Sequence, residues 1–452
     1  MVTQLAAARA ASASDDIAVD GCELSRHESV TRTWLATILV VGAAVLGACT
    51  SAVPPSVTPS PSATGVETLT TSTPTRTAVH SASRPSSASS SSKPHPPSVI
   101  PTTSGPVPAK PNAATVLAGM TEAERIGQLL MVDCPSTHAS AVTLAFIRAQ
   151  HVGSVILDGT SQLSVSATRS VTARLQRADT GPVRLFLATD QEGGFVQRLQ
   201  GPGFSQIPTA LRQGVIAPAV LERDAGTWGR QLGQAGLNVN LGPVMDTVPP
   251  GQGSNPPIGD LDRQFGSTPT VVAQHGLAVV RGLQAAGVTA TVKHFPGLGR
   301  VTENTDTRSG VRDTVTTEHD ALLAPFAAAV NAGARFVMMS TAIYTKIDPE
   351  HPAAFSATVI DGMLRHQLGF RGVVISDDIG SAAQVRNIPP GQRAVDFINA
   401  GGDIALTVNP DVVPAMIAAL RAKAATDSSF RAKVDAAALT VLTAKEKAGL
   451  LR

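Results

Sequence analysis

Five short segments of this chain place carboxylates close to bases and hydroxyls. They are Asp190-Gln191-Glu192-Gly193-Gly194, Gly242-Pro243-Val244-Met245-Asp246, Lys293-His294-Phe295-Pro296-Gly297, Ser340-Thr341 and Ser376-Asp377-Asp378. Taken singly, each reads equally well as a turn or a cap, since Asp, Ser and Gly are the ordinary residues of turns. Together they hold several carboxylates beside Lys and His, a set that suits glycosyl transfer. In that chemistry one carboxylate attacks or stabilises the sugar while a second group handles the proton. A nearby lysine keeps a nucleophilic carboxylate ionised. Other chemistries lack their residues. The chain contains no His-Glu-x-x-His and no His/Cys ligand cluster, no Gly-x-Ser-x-Gly, and no phosphate loop ending in Gly-Lys-Ser/Thr. With 36 Lys+Arg against 34 Asp+Glu, the net charge of +2 gives no basic face for nucleic acid.

Each of these segments follows a short apolar run. The runs are Leu130–Val132, Ser154–Leu157, Leu185–Ala188, Val239–Leu241, Ala290–Val292, Phe336–Met339, Val373–Ile375 and Ile404–Leu406. Amphipathic stretches such as Val272–Ala286, Thr317–Asn331 and Ala357–Leu368 lie between them. Short strands that are apolar on both faces, each followed by a helix, predict a parallel sheet covered by helices. Eight repeats predict an α/β fold of the (β/α)8 TIM-barrel type, with an open doubly wound sheet as the rival. No Gly-x-Gly-x-x-Gly follows the first strand, against a dinucleotide-binding version of that rival. In a closed barrel the C-terminal strand ends share one mouth, which would bring the five polar segments together. The domain opens at a capping box, Thr121-x-x-Glu124, with Ile126, Leu129 and Leu130 on the apolar side of its helix.

The region before residue 114 is of another kind. Arg26 and Arg32 precede an uncharged run, Trp34 to Ala48, that is too short to span a bilayer and ends Leu46-Gly47-Ala48-Cys49. This resembles the signal and lipobox of bacterial lipoproteins and predicts acylation of Cys49. Residues 1–49 would then be an extended n-region and signal, with Val30 a candidate alternative start. Residues 50–113 are rich in Ser, Thr, Pro and Ala with no aromatic residue, a composition that cannot offset its ordering entropy by burial and reads as a tether. The expected product is a catalytic domain, 114–452, held at the outer face of the cell membrane. Only Cys134 of the three cysteines falls in that domain, and it reads as a core residue.

The domain resembles glycoside hydrolase family 3, in its single-domain β-N-acetylglucosaminidase branch, and the whole chain resembles a lipoprotein member from an actinobacterial envelope. The resemblance runs through Met120-Thr121, Ile126-Gly127-Gln128, Asp190-Gln191-Glu192-Gly193-Gly194 with Arg198, and Asn238-Val239-Asn240 with Pro243. It continues through Ile258-Gly259, Arg263-x-Phe265-Gly266, Lys293-His294-Phe295-Pro296-Gly297-x-Gly299, Leu368-Gly369-Phe370-x-Gly372-Val373, Ser376-Asp377-Asp378 and Ala400-Gly401-Gly402-Asp403. It implies a retaining exo-β-N-acetylhexosaminidase acting on peptidoglycan fragments or related glycans, with no cofactor and no metal. It implies Asp377 as nucleophile and Asp190, Arg198, Arg263, Lys293 and His294 as sugar-binding residues. Asp378 is expected to support the local backbone. The alternatives are a β-glucosidase or another family 3 specificity, and a non-catalytic glycan-binding lipoprotein.

The resemblance breaks at the proton donor. The loop after strand five in this branch usually carries Asp-Ser-His, whose His is the acid/base. Here Asn304-Thr305-Asp306 stands there, and Leu298 replaces the second His of the Lys-His-Phe-Pro-Gly-His-Gly motif. Three readings remain open: Asp306 is the acid/base, Glu303 or another group swings in from a polar, mobile loop, or the chemistry is impaired. An anionic Asp306 would also repel phosphate, so hydrolysis is expected rather than phosphorolysis.

Overall fold

The computed structural model describes residues 111–452. The expected signal, lipobox Cys49 and nearly all of the tether lie outside them. The described residues open with a short helix, Ala113–Gly119, capped by Asn112. The predicted capping box follows: the Thr121 side chain accepts from the Glu124 N–H, and the Glu124 carboxylate accepts from Thr121. Among the described residues no helix is long and apolar enough to cross a membrane.

Eight parallel strands close into a barrel. They are β1 (Leu130–Pro135), β2 (Ser154–Asp158), β3 (Phe186–Thr189), β4 (Val239–Asn240), β5 (Thr289–Phe295), β6 (Phe336–Met339), β7 (Val373–Asp378) and β8 (Ile404–Thr407), paired in sequence order with β8 returning to β1. All eight apolar runs of the sequence are strands. The helical expectations hold with one change of extent. Val272–Ala286 lies within Pro269–Ala285 but for its last residue, and Ala357–Leu368 contains a π-helix over Thr358–Gln367. In Thr317–Asn331 only the second half is α-helical, from Ala324, because Asp320 caps a 3-10 turn and Pro325 fits only a first helical turn.

The strands are apolar on both faces because each face has its own core. Alternate residues fill the barrel interior, among them Met131, Ile156, Phe186, Val239, Phe336, Met338 and Ile375. Their neighbours pack outward under the helices in a larger cluster that includes Val132, Leu157, Leu187 and Val374. Phe186 and Phe336 meet edge to face across the interior at 5.2 Å. The free thiol of Cys134 is buried in the outer core, as expected.

The helix Ser428–Lys447 and the C-terminal tail close the end of the barrel opposite the mouth: Val441 and Leu450 join the interior cluster, and Arg184 N–H donates to Leu450. Lys445 is fully buried there. Its ammonium donates to Gln128 Oε1 at 2.7 Å and to the Gly153 carbonyl at 2.8 Å, and lies 5.3 Å from the centre of the Phe186 ring. Burial pushes its pKa down from 10.5 to about 7. Between those two values the unfolded chain binds the proton and the folded chain does not, so this group makes stability rise with pH. Denaturant unfolding of the protein and of Lys445→Met across pH 7 to 10.5 should show the protein gaining stability relative to the variant as pH rises. A pH-independent difference would contradict this account of Lys445.

Candidate active site

The site begins with two irregularities in strand pairing. Along β5 and β6, Lys293 pairs with Met338 and Phe295 with Met339, so His294 is an extra residue in the ladder. Along β7 and β8, Ile375 pairs with Ile404 and Asp378 with Leu406, which leaves one extra residue in Ser376-Asp377. A bulge defeats the alternation of a strand and re-aims side chains. Lys293 and His294 therefore both reach the barrel mouth, as do Asp377 and Asp378.

The segment after β3 is held by side chains that imitate a neighbouring strand. Asn240 accepts from the Gln191 N–H at 2.9 Å and donates to its carbonyl at 3.2 Å. Gln191 in turn exchanges hydrogen bonds with the backbone of Leu199. A small hairpin, Gln191–Gly193 with Val196–Gln197, brings Arg198 back so that its N–H donates to the Asp190 carbonyl. Gly193 has φ +112, and a Cβ there would collide with the carbonyl oxygen of Pro208. Only glycine fits both requirements.

These devices assemble a buried charge network. Lys293 Nζ lies 2.6 Å from Asp190 Oδ1 and 2.6 Å from Glu192 Oε1. Glu192 also receives a two-pronged bond from Arg263, Nε to Oε2 and Nη2 to Oε1, both 2.9 Å. Arg263 Nη1 donates to the Pro257 carbonyl at 2.7 Å. Burial works against each of these charges, but the partners outweigh it. Asp190 and Glu192 hold the Lys293 pKa above its usual value, and Arg263 with Lys293 holds Glu192 well below the usual carboxylate range.

A second group fixes His294. Past β4 the chain runs beside β5, with Val244 bridging to Lys293, and this delivers Asp246. Asp246 Oδ2 meets His294 Nδ1 at 2.7 Å, and its Oδ1 accepts the Leu298 N–H at 2.7 Å. The other face of the ring, Nε2, is 3.5 Å from Arg263 Nη2 and 4.0 Å from Asp377 Oδ2.

Asp377 sits at the end of β7 with a partly exposed side chain whose Oδ1 accepts the Asp378 N–H at 2.9 Å. Asp378 accepts from the N–H groups of Gly380, Ser381 and Val408, the backbone role expected of it. The loop carrying Asp306 is pinned to the loop after β7. Ala383 N–H donates to the Asp306 carbonyl, Gln384 N–H to the Thr305 carbonyl, and the Gln384 amide pairs with both backbone groups of Val311. Asn304, in the position of the usual orienting Asp, is buried and accepts the Asp306 N–H at 2.8 Å. The polar loop expected to be mobile is thus docked, because Asn304 spends its side-chain acceptor inside it and the carbonyls of Thr305 and Asp306 are taken by the loop after β7. Burial, together with the charge of Asp377, raises the Asp306 pKa.

A cavity of about 230 Å³ opens at the mouth, lined by Asp190, Arg198, Arg263, Lys293, His294, Asp306 and Asp377. All seven residues singled out in the sequence for catalysis or sugar binding therefore meet. Glu303, the other acid considered, does not line it. Its side chain is 57% exposed and faces Arg308 at 3.6 Å. Among the described residues no group of three or more His, Cys, Asp or Glu side chains is placed to hold a metal ion. Sequence reasoning did not single out Glu192 or Asp246. Glu192 lies two residues from Asp190, and the period of an extended segment already puts both on one side. Asp246 had no comparable signal, since its partner His294 is 48 residues away in the chain.

A model of the glycosyl hydrolase family 3 N terminal domain matches residues 121–444. The chain belongs to this family. It is a glycoside hydrolase. A beta-hexosaminidase of Xylella fastidiosa (strain M23) is 38% identical over 297 residues, 63% of this chain and 84% of the relative. The crystal structure of the beta-N-acetylhexosaminidase from Beutenbergia cavernae DSM 12333 is 51% identical with a TM-score of 0.72, covering 73% of this chain and 99% of that one. A glycoside hydrolase family 3 beta-N-acetylglucosaminidase from Paenibacillus sp. str. FPU-7 is 30% identical with a TM-score of 0.68, covering 74% of this chain and 63% of that one.

Both oxygens of Glu192 are engaged by Lys293 and Arg263, whose charges it serves to neutralise. Glu192→Gln should leave one buried cation under-compensated and lower stability by about 3 kcal/mol, measured by urea denaturation. A loss below about 1 kcal/mol, the range of an exposed pair, would mean that Asp190 alone suffices.

Proposed function

We propose that this enzyme is a retaining, exo-acting β-N-acetylhexosaminidase that removes terminal β-linked N-acetylglucosamine from peptidoglycan fragments. The observation that carries this reading is a single small cavity that places Asp377 and Asp306 beside a floor of fixed donors and acceptors. The names of the relatives support the acetamido-sugar specificity. A cavity of about 230 Å³ suits one sugar ring at a chain end, which supports exo action. With one Tyr and two Trp in the chain, a long aromatic-lined cleft has few residues to draw on. Acylation at Cys49 and a place at the outer face of the cell membrane belong to the same proposal and rest on the N-terminal sequence.

The sugar lies on the charged floor. Asp190 Oδ1 is taken by Lys293, which leaves Oδ2 to accept from a hydroxyl, while Lys293, Arg198 and Arg263 supply donors to hydroxyls and to the acetamido oxygen. Because the network is already neutralised, these groups bind without rearranging. Asp377 Oδ2 attacks the anomeric carbon as the bond to the leaving oxygen breaks, and Asp306 delivers its proton to that oxygen. A covalent ester to Asp377 results. Asp306, now ionised, takes a proton from water, whose oxygen attacks the same carbon and releases Asp377 with net retention. His294 stands beside Asp377 and is held by Asp246, so it positions the nucleophile and the sugar. The raised pKa of Asp306 has the sign that a general acid requires, since the group must carry its proton when Asp377 has lost its own.

The activity on 4-nitrophenyl N-acetyl-β-glucosaminide should vanish in Asp377→Ala. In Asp306→Ala the loss should be roughly 10²–10⁴-fold for an unactivated glycoside, smaller for the aryl substrate, and partly restored by azide. In the parent, kcat/KM should fall as pH rises through the pKa of Asp306, above the ordinary carboxylate value. Asp306→Asn should lose that limb. Retention of full activity and of the limb in Asp306→Asn would assign the proton to another group.

A further inference from the structure

Asp158 ends β2 and takes no part in the chemistry above, and it does not line the cavity. It stands against a residue that does. Its Oδ1 lies 3.3 Å from Arg198 Nε, and the Arg198 side chain is only 8% exposed. Main-chain pairing brings the two together. The chain after β2 is clipped to the segment after the hairpin: Ser161 N–H donates to the Arg198 carbonyl at 2.8 Å, and Gln200 N–H donates to the Ser161 carbonyl at 2.9 Å. Gly201 permits this close approach, because a Cβ there would collide with the carbonyl oxygens of Gln162 and Leu163.

Arg198 differs from the other two buried cations of the site. Lys293 and Arg263 are tied by hydrogen bonds to protein carboxylates. Among the described residues, Arg198 Nε and Asp158 Oδ1 are both buried without an aligned hydrogen bond, and Asp158 is the one carboxylate within ion-pair distance of Arg198. A guanidinium buried this deeply needs a counter-charge. Two further carboxylates stand near Asp158, and neither is free to supply it. Asp378 is committed to the N–H groups of Gly380, Ser381 and Val408. Asp133, on the neighbouring β1, is pushed up to about 7 by burial and by the charges of Asp158 and Asp378, so near neutrality it holds its proton for much of the time.

We infer that Asp158 is a positioning residue: its carboxylate holds the Nε edge of Arg198 and so leaves the two terminal nitrogens set to donate to the sugar. This rests on the proposed hexosaminidase reading, in which Arg198 is one of the sugar's donors. A long arginine side chain ordered before the ligand arrives has less freedom to lose on binding.

The test is a double-mutant cycle on the full chain, with 4-nitrophenyl N-acetyl-β-glucosaminide and four proteins: the parent, Asp158→Asn, Arg198→Gln and the double variant. Asp158→Asn should raise KM roughly tenfold, a mid-range coupling for groups in contact, with a smaller change in kcat. KM should already be raised in Arg198→Gln, and adding Asp158→Asn should then change it by less than about twofold. Calorimetry of N-acetylglucosamine binding to the same four proteins should give the same pattern in Kd, and it reads binding even where turnover is lost. Neither KM nor Kd depends on how much of a preparation is folded, so a less stable Asp158→Asn does not imitate the effect. An unchanged KM in Asp158→Asn, an equal rise in both backgrounds, or an unchanged KM in Arg198→Gln overturns the positioning role. A parent that neither cleaves the aryl glycoside nor binds N-acetylglucosamine refutes the hexosaminidase reading itself, whereas turnover with additive effects refutes the role of Asp158 alone.

Discussion

Lys293 and Arg263 carry two positive charges into the top of the barrel, and Asp190 with Glu192 carries two negative ones to meet them. None of the four can be buried alone, because an unpaired buried charge costs several kcal/mol. Each contact is made at 2.6 to 2.9 Å. The quartet therefore demands accurate backbone placement from strand β5 and two separate connecting segments. Much of the surrounding structure serves that demand. The extra residue in β5 turns Lys293 and His294 to one side, Asn240 and Gln191 hold the segment after β3, and Gly193 lets the chain turn back under Pro208. In return the network gives the cavity donors and acceptors already oriented, with no net charge of its own to repel or trap a neutral sugar.

The barrel was plain in the sequence because it rests on a repeated local signal. Strands with a core on each face must be apolar at every position, and eight such runs, from Leu130 to Leu406, all became strands. The meeting of the polar segments was equally plain, since residues after those runs have one common destination at the barrel mouth. Pairings across the chain were not plain. That Asp246 would grip His294, or that Arg263 would bind Glu192 with both prongs, depends on loops whose paths no local pattern encodes. Arg263 illustrates how two readings can both apply: it is a structural ion pair and also lines the cavity.

The loop after β5 shows the limit most clearly. Its composition is polar, which on its own reads as exposed and mobile. In the folded protein Asn304 and Thr305 are buried, and the loop backbone is stitched to that after β7. Asp306 is thereby brought to the same cavity as Asp377. Burial, with the charge of Asp377 added to it, raises the Asp306 pKa, the direction that the proposed role of general acid requires.

The central claim is that Asp377 forms a covalent bond to the sugar. Asp306→Ala, given the activated 4-nitrophenyl N-acetyl-β-glucosaminide, should form that bond faster than water can break it. Rapid quenching, proteolysis and mass spectrometry should then find the N-acetylglucosaminyl group on the peptide containing Asp377, with fragmentation placing it on that residue. Turnover without an adduct and with the α-anomer as first product, or an adduct on another residue, would contradict the account.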